Sequence, residues 1–222
     1  MLTAGAATTV SARIHADLRA AILSGALAPG DPLPGERRLA EEHGANRHAV
    51  REALKRLQEA GLIQIAHGGA TRVLDWRRHG GLGLLLDLAR EGEAPPALGI
   101  ARATMEMRAA IGADAARRAA ERATESERRA IAARAAAIGD VAAYDAFWDA
   151  IVDASANVAY RLALTTLVAG QQVLDLGPET VGAELADAGA IGRLAAAIAD
   201  GRADAAAAHA RDLLERSIPV GT

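Results

Sequence analysis

The chain is 222 residues long, about half apolar, without cysteine and only 2% aromatic, and its formal net charge is −3. That length suits one large domain or two small ones, and a core made of Ala, Leu, Ile and Val favours helix, because alanine loses no side-chain entropy on entering one. The absence of cysteine excludes disulfides and thiolate metal sites, "MLTAGAATTV" has none of the regions of a secretory signal, and "GLGLLLDLA" is too short to span a bilayer and contains Asp87, so the sequence reads as a cytoplasmic protein with no membrane segment.

In chain order, "VSARIHADLRAAILSGAL" repeats an apolar residue every fourth position, with Val10, Ile14, Leu18 and Ile22 forming the stripe of a first helix. "APGDPLPGE" breaks that helix and sets an extended linker. A short helix resumes at about Glu36 and ends at Gly44, a natural C-terminal cap. Asn46 suits the N-cap of the next helix, whose inner face is Val50, Ala53, Leu54 and Leu57 and which stops at Gly61. "LIQIA" then alternates like a strand, "HGGA" can turn and "TRV" can return. Two short helices, a tight turn and a hairpin make a winged helix-turn-helix. From Trp76 to about Pro96 a second junction holds one short helix before a Pro-Pro break. Beyond Leu98 the reading is helical throughout, over 98–122, 125–138, 140–155, 157–175, 179–200 and 202–217. The expected fold is mainly α: a winged helix-turn-helix with a small β-hairpin wing over residues 1–76, a linker over 77–97 and an all-α helical bundle over 98–222.

Charge divides along the same line. Residues 1–79 carry 11 Lys and Arg against 8 Asp and Glu, while the remainder carries 14 against 20. A basic first part suggests a polyanionic partner, although solvated surface charge gives the same contrast. Geometry is more informative. Arg47, Arg51 and Lys55 stand four apart and share one helix face, opposite the apolar stripe. The major groove of DNA admits an α-helix, and arginine bonds guanine O6 and N7 in bidentate fashion. The leading end of a recognition helix reaches the bases, which singles out Asn46, Arg47, His48 and Arg51; the unpaired amides there also suit a phosphate. Arg56 lies further along and reads as an ion-pair partner of Glu52 or Glu59. His67, Gly68 and Gly69 make a tip slim enough to approach a groove, and equally suit a plain turn.

The run "PGDPLPGERRLAEEHGANRHAVREALKRLQEAGLIQIAHGGATRV" resembles the winged helix of the GntR family. "HGGATRVLDWRRHGGLGLLLDLAR" is similar to the FadR branch in wing and linker, and "FWDAIVDASANVAYRLALTTL" to a helix pair of that branch's effector domain. The resemblance implies DNA contacts at Arg37, Asn46, Arg47, His48, Ala49, Arg51, His67, Gly68 and Gly69. It departs at Gly69, where relatives often carry a basic residue. It also implies a homodimer on a palindromic double-stranded DNA operator, controlled by a small-molecule effector.

Many members of the branch bind a divalent metal through one Asp and three His. The matching positions here read Tyr144, Trp148, Ile191 and Leu213, so no metal and no cofactor is expected. His209 reads as a helix-surface histidine, and Asp145 and Asp149 share a helix face without a nearby histidine. Tyr144, Phe147, Trp148 and Tyr160 are four of the chain's five aromatic residues; such bulk either fills a core gap or lines a ligand cavity. Replacing ligating groups by Trp and Tyr makes that region apolar, which fits a greasy effector, and the FadR resemblance implies a fatty acid or acyl-CoA. Arg108 matches an arginine of the branch that can pair with an effector's carboxylate or phosphate, or else forms an ion pair with Glu106 or Asp114. The candidate effector residues are thus Arg108, Tyr144, Trp148 and Tyr160; Asn157 reads as a helix cap. Two alternatives stay open: a small carboxylate effector, or a DNA-binding dimer that takes no ligand. An enzyme is not expected, since no catalytic constellation stands out and the sole lysine, Lys55, lies on the DNA helix.

Overall fold

The computed structural model describes residues 9–66, 70–84, 99–173 and 178–219. The chain divides into two compact units, Met1–Pro95 and Pro96–Thr222.

In the first unit, α1 (Val10–Ser24) begins where Thr9 accepts the Ala12 amide and ends at Gly25, whose φ of +82° is left-handed. Ile14, Leu18 and Ile22 are buried as the stripe requires, but Val10 is 41% exposed. It occupies the first helical position, where the turn that would cover it has not yet formed. Helix α2 (Glu36–Glu42) is short and is closed by a Schellman motif. Gly44 sits at φ +57°, its amide donates to the Glu41 carbonyl, and the Ala45 amide donates to the Ala40 carbonyl. Helix α3 (Arg47–Glu59) starts on the Asn46 side chain, which accepts the Ala49 amide at 2.8 Å, and buries Val50, Ala53, Leu54 and Leu57. It packs on α1 and α2, so its polar face is left outward.

The wing is an antiparallel pair, β1 (Ile63–Gln64) and β2 (Arg72–Val73), with Ile63 opposite Val73 and Gln64 opposite Arg72. The strands are shorter than "LIQIA" and "TRV" suggest. The proline-rich segment also does more than link. Leu33 donates to the Thr71 carbonyl and Val73 to that of Asp31, and Pro32 bridges Arg72, so a third extended segment lies along β2. Pro32 and Arg72 form a non-hydrogen-bonded antiparallel pair flanked by those two bonds, a position that needs no amide and so tolerates proline. A short helix, α4 (Trp76–His79), follows, with Asp75 as its N-cap.

The second unit is helical: α5 (Ile100–Arg122), α6 (Glu125–Ala136), α7 (Val141–Ala154), α8 (Val158–Val173), α9 (Pro178–Leu185), α10 (Ala188–Ala199) and α11 (Ala203–Leu214), then a 3₁₀ turn (Glu215–Ser217). Helix α5 is central and packs most extensively on α11, then on α7, α8 and α10. Small side chains make this possible: Ala109, Ala113, Ala116 and Ala120 on α5 are buried. Gly112 lies so close to α11 that an added Cβ would stand 2.4 Å from Leu214 Cδ1. One expectation fails here. The stretch 179–200 is two helices rather than one, because Asp187 turns its carboxylate onto the Ala190 amide at 2.7 Å and restarts the helix. A short acidic side chain that can satisfy a free amide favours a cap over a helix interior.

Candidate nucleic-acid interface and effector cavity

The exposed face of α3 carries the cations that the spacing places there, but they are not equally free. Arg51 donates from Nε to Glu36 Oε2 at 2.7 Å, tying it to the first turn of α2. Lys55 faces Glu59 at 3.8 Å. Arg37 on α2 faces Glu41 at 3.7 Å. Arg47 and His48 are exposed at the leading end of α3 and make no ion pair among the described residues. Asn46 holds the helix start through its side-chain oxygen, and Ala49 is half-buried beside it. Arg56 forms none of the expected pairs with Glu52 or Glu59 among the described residues, since Glu59 is taken by Lys55. His67, Gly68 and Gly69 lie outside the described residues. Arg72, which the sequence reading passes over, donates to the Gly30 carbonyl at 2.8 Å and braces the wing's base.

The hydrogen-bonded end of α3 is fixed by a contact that composition cannot reveal. Gly61 has φ +73°, and a Cβ built there would lie 2.2 Å from the His79 carbonyl oxygen. Glycine therefore both ends the helix and lets α4 approach it.

In the second unit, a cavity of about 340 Å³ opens between α5, α7 and α8. Gly112, Val152, Leu164, Val168 and Leu214 line its apolar side, with Trp148, and Arg108, Asp145, Asp149, Arg161 and Thr165 its polar side. Of the four candidate effector residues, Arg108 and Trp148 line it. Tyr144 is fully buried beside it, in edge contact with Trp148 at 6.3 Å between ring centroids. Tyr160 is elsewhere: its hydroxyl donates to Asp114 at 2.6 Å, within a cluster that includes Arg117 and Arg118.

Arg108 pairs with neither Glu106 nor Asp114, which serve Arg102 and the Arg117–Arg118 pair. It makes a bidentate pair with Glu184 on α9, at 2.7 and 2.9 Å, and the Tyr144 hydroxyl donates to the same carboxylate at 2.5 Å. Both charged side chains are buried. Burial works against the Arg108 charge, but the bonds to Glu184 outweigh it and hold the guanidinium above its ordinary pKa. Burial, joined by the Glu184 charge, pushes the Tyr144 phenol up. Sequence reasoning missed Glu184, because a glutamate 76 residues from its partner leaves no local signal. Arg161 is likewise committed, to Asp149 and to Asp153 at 2.6 Å. Asp145 has no ion pair among the described residues; desolvation raises its carboxyl pKa, Arg108 opposes the rise, and Asp149 and Glu184 add to it.

Tyr144, Ile191 and Leu213, with Trp148 packed against them, belong to one apolar cluster, so the positions that would ligate a metal in the resembling branch are core packing here. Among the described residues no group of three or more His, Cys, Asp or Glu could hold a metal ion, and no helix is long and apolar enough to cross a membrane.

Two helices joined by a Schellman turn, a hairpin braced by a third segment, and a separate helical unit define a winged helix-turn-helix regulator with an all-α second part. The family model for bacterial regulatory proteins of the gntR family matches residues 10–73. The chain is 36% identical over 203 residues to the HTH-type transcriptional regulator Mce2R of Mycobacterium tuberculosis (strain CDC 1551 / Oshkosh), covering 87% of this chain and 84% of that protein. It is 43% identical over 72 residues to the fatty acid metabolism regulator protein of Enterobacter sp. (strain 638), 32% of this chain and 30% of that one. A solved Streptococcus agalactiae GntR aligns over 93% of this chain at 18% identity, with a TM-score of 0.47. The chain belongs to the GntR family. Its relatives are transcriptional regulators rather than enzymes.

Proposed function

We propose that this GntR-family regulator acts in the cytoplasm as a homodimer, its two winged helices reading the half-sites of a palindromic operator about one helical turn apart. The observation that carries the base-reading role is the leading end of α3, where Arg47 and His48 stand exposed and unpaired above a capped helix start. Arg47, His48 and Arg51 project into the major groove, Asn46 and Ala49 fix the backbone that approaches it, and Arg37 meets phosphate. His67, Gly68 and Gly69 supply the wing contact. The functional division runs 1–76 for DNA, 77–97 as linker and 98–222 for effector and dimer.

The cavity beside Arg108 and Trp148 is the effector site, with Tyr144 behind it. Its apolar side, and the name of the fatty acid metabolism regulator relative, support an aliphatic effector of the fatty acid or acyl-CoA kind. Effector binding biases the dimer between operator-competent and incompetent states, which requires tighter binding to one of them.

Fluorescence anisotropy with a duplex from the regulator's own upstream region tests the DNA role. Wild type prefers that duplex to a scrambled one, and Arg47→Ala loses about 1–3 kcal/mol of discrimination per guanine contact removed. Equal discrimination by the two proteins would remove Arg47 from the base-reading set.

A further inference from the structure

We infer that Arg161, rather than Arg108, holds the acid end of the aliphatic effector, with the carboxylates of Asp149 and Asp153 as the groups that this acid end displaces. The assignment rests on the cavity being the effector site proposed above. Two guanidinium groups line its polar side, and they differ in how firmly their partners hold them. Arg108 gives both terminal nitrogens to Glu184, and the two side chains are 8% and 0% exposed. An effector that took Arg108 would strand Glu184 in the interior without its counter-charge. Arg161 is held differently. All its partners come from α7: Nε and Nη2 donate to Asp153 Oδ1 at 3.0 and 2.6 Å, Nη1 donates to the Asp149 carboxylate, and Nη2 donates to the Asp149 carbonyl at 2.6 Å. The Asp149 and Asp153 side chains are 64% and 71% exposed, so each returns to water when released, and exposed pairs of this kind contribute little net stability.

An incoming carboxylate therefore exchanges with a carboxylate already on Arg161, and the planar guanidinium fork suits the newcomer equally well. Asp145 and Asp149 also line the polar side, but both are exposed, so water and salt screen their repulsion of a ligand acid. The tail follows from helix geometry. Arg161, Leu164 and Val168 all line the cavity and stand three and four apart on α8, so one helix face offers a charge and then apolar contact over the next two turns. That span is about 10 Å, and the cavity's 340 Å³ lies near the small end of ligand sites. Both dimensions fit a medium-chain acid.

The test titrates the full-length protein calorimetrically with octanoate and 1-octanol, which share a chain length and differ in charge. Octanoate should bind about tenfold tighter than octanol, the scale of a hydrogen bond to a charged group. Arg161→Gln should erase that preference and leave octanol affinity unchanged. Asp153 bonds Arg161 but is not among the described residues that line the cavity, so its influence on the ligand passes through Arg161. Asp153→Asn should tighten octanoate about two- to fivefold, leave octanol unchanged, and lose its effect in the Arg161→Gln background. An octanoate preference that survives Arg161→Gln, an Asp153→Asn variant with unaltered octanoate affinity, or a wild type that favours octanol overturns the inference and leaves the aliphatic effector site standing. Binding of neither probe at one site per chain overturns the effector-site reading itself.

Discussion

Replacing Arg108 by methionine probes the buried Arg108–Glu184 ion pair of the second unit. The substitution keeps the aliphatic stem but removes the guanidinium that gives Glu184 two bonds at 2.7 and 2.9 Å. Glu184 has no exposure of its own and would keep only the Tyr144 hydroxyl. Stranding one member of a buried pair costs about 3–5 kcal/mol, far more than the pair itself contributes over a packed apolar substitute. For a unit of this size each kcal/mol moves the melting temperature by a few degrees, so the unit should melt roughly 10–20 °C earlier. Removing the stranded carboxylate should return much of that loss, so Arg108→Met with Glu184→Leu is expected to be more stable than Arg108→Met alone. Urea unfolding followed by circular dichroism measures all members of the cycle, including Glu184→Leu, in the full chain. A loss under about 1 kcal/mol for Arg108→Met, or a double variant no better than the single one, would show that the pair is hydrated and that α9 is not anchored by it.

Two further perturbations address other links. Gly61→Ala should destabilise the first unit by about 2–5 kcal/mol in urea unfolding, through a left-handed backbone and overlap with a backbone oxygen that cannot rotate away; a change below 1 kcal/mol would mean that α4 does not pack on the end of α3. Asp114→Asn tests the cluster under Tyr160. The Asp114 carboxyl is held well below the usual range, first by the Tyr160 hydroxyl and then, against desolvation, by Arg118 and Arg117. Its stabilisation is therefore complete above about pH 4, the ordinary carboxylate value, and fades as pH falls toward the lowered one. The variant should lose about 1–2 kcal/mol at pH 7 and show a flatter decline between pH 4 and pH 2, and parallel wild-type and variant curves over that window would refute the assignment.

The helix-turn-helix is legible in the sequence because each of its signals is local. Gly44 and Gly61 end helices by backbone conformation, Asn46 starts one, and the Val50, Ala53, Leu54, Leu57 stripe declares a buried face within thirteen residues. What escapes is set by distance along the chain. Pro32 pairing with Arg72 and Arg108 pairing with Glu184 depend on how elements meet, and either glutamate or aspartate elsewhere would look as suitable to a reader of residues alone. Asp187 is the instructive miss, since its signal is local but weak: within an alanine-rich run nothing but one carboxylate marks the break. Tyr160 fails for the opposite reason. Grouping it with Tyr144 and Trp148 by proximity in sequence places the break between the two helices but not their relative direction: the turn at Ala156, with φ of +53°, sends α8 off so that Tyr160 faces Asp114 instead.

The distribution of partners over α3 also bears on how a chain with net negative charge can single out one duplex. Cationic charge on its own brings sequence-independent attraction to phosphate. Here Arg51, Lys55 and Arg37 each face a carboxylate within their own unit, which lowers that general attraction. Among the described residues Arg47, His48 and, further along, Arg56 form no ion pair, and the first two occupy the helix end proposed to reach bases. On the proposed interface, the acids facing these cations weaken binding to any duplex, and Arg51 would have to leave Glu36 to reach a base edge, which only the right sequence repays. Discrimination is a difference between affinities, and a surface that pairs Arg37, Arg51 and Lys55 with acids while leaving its leading turn bare would enlarge that difference without adding a contact.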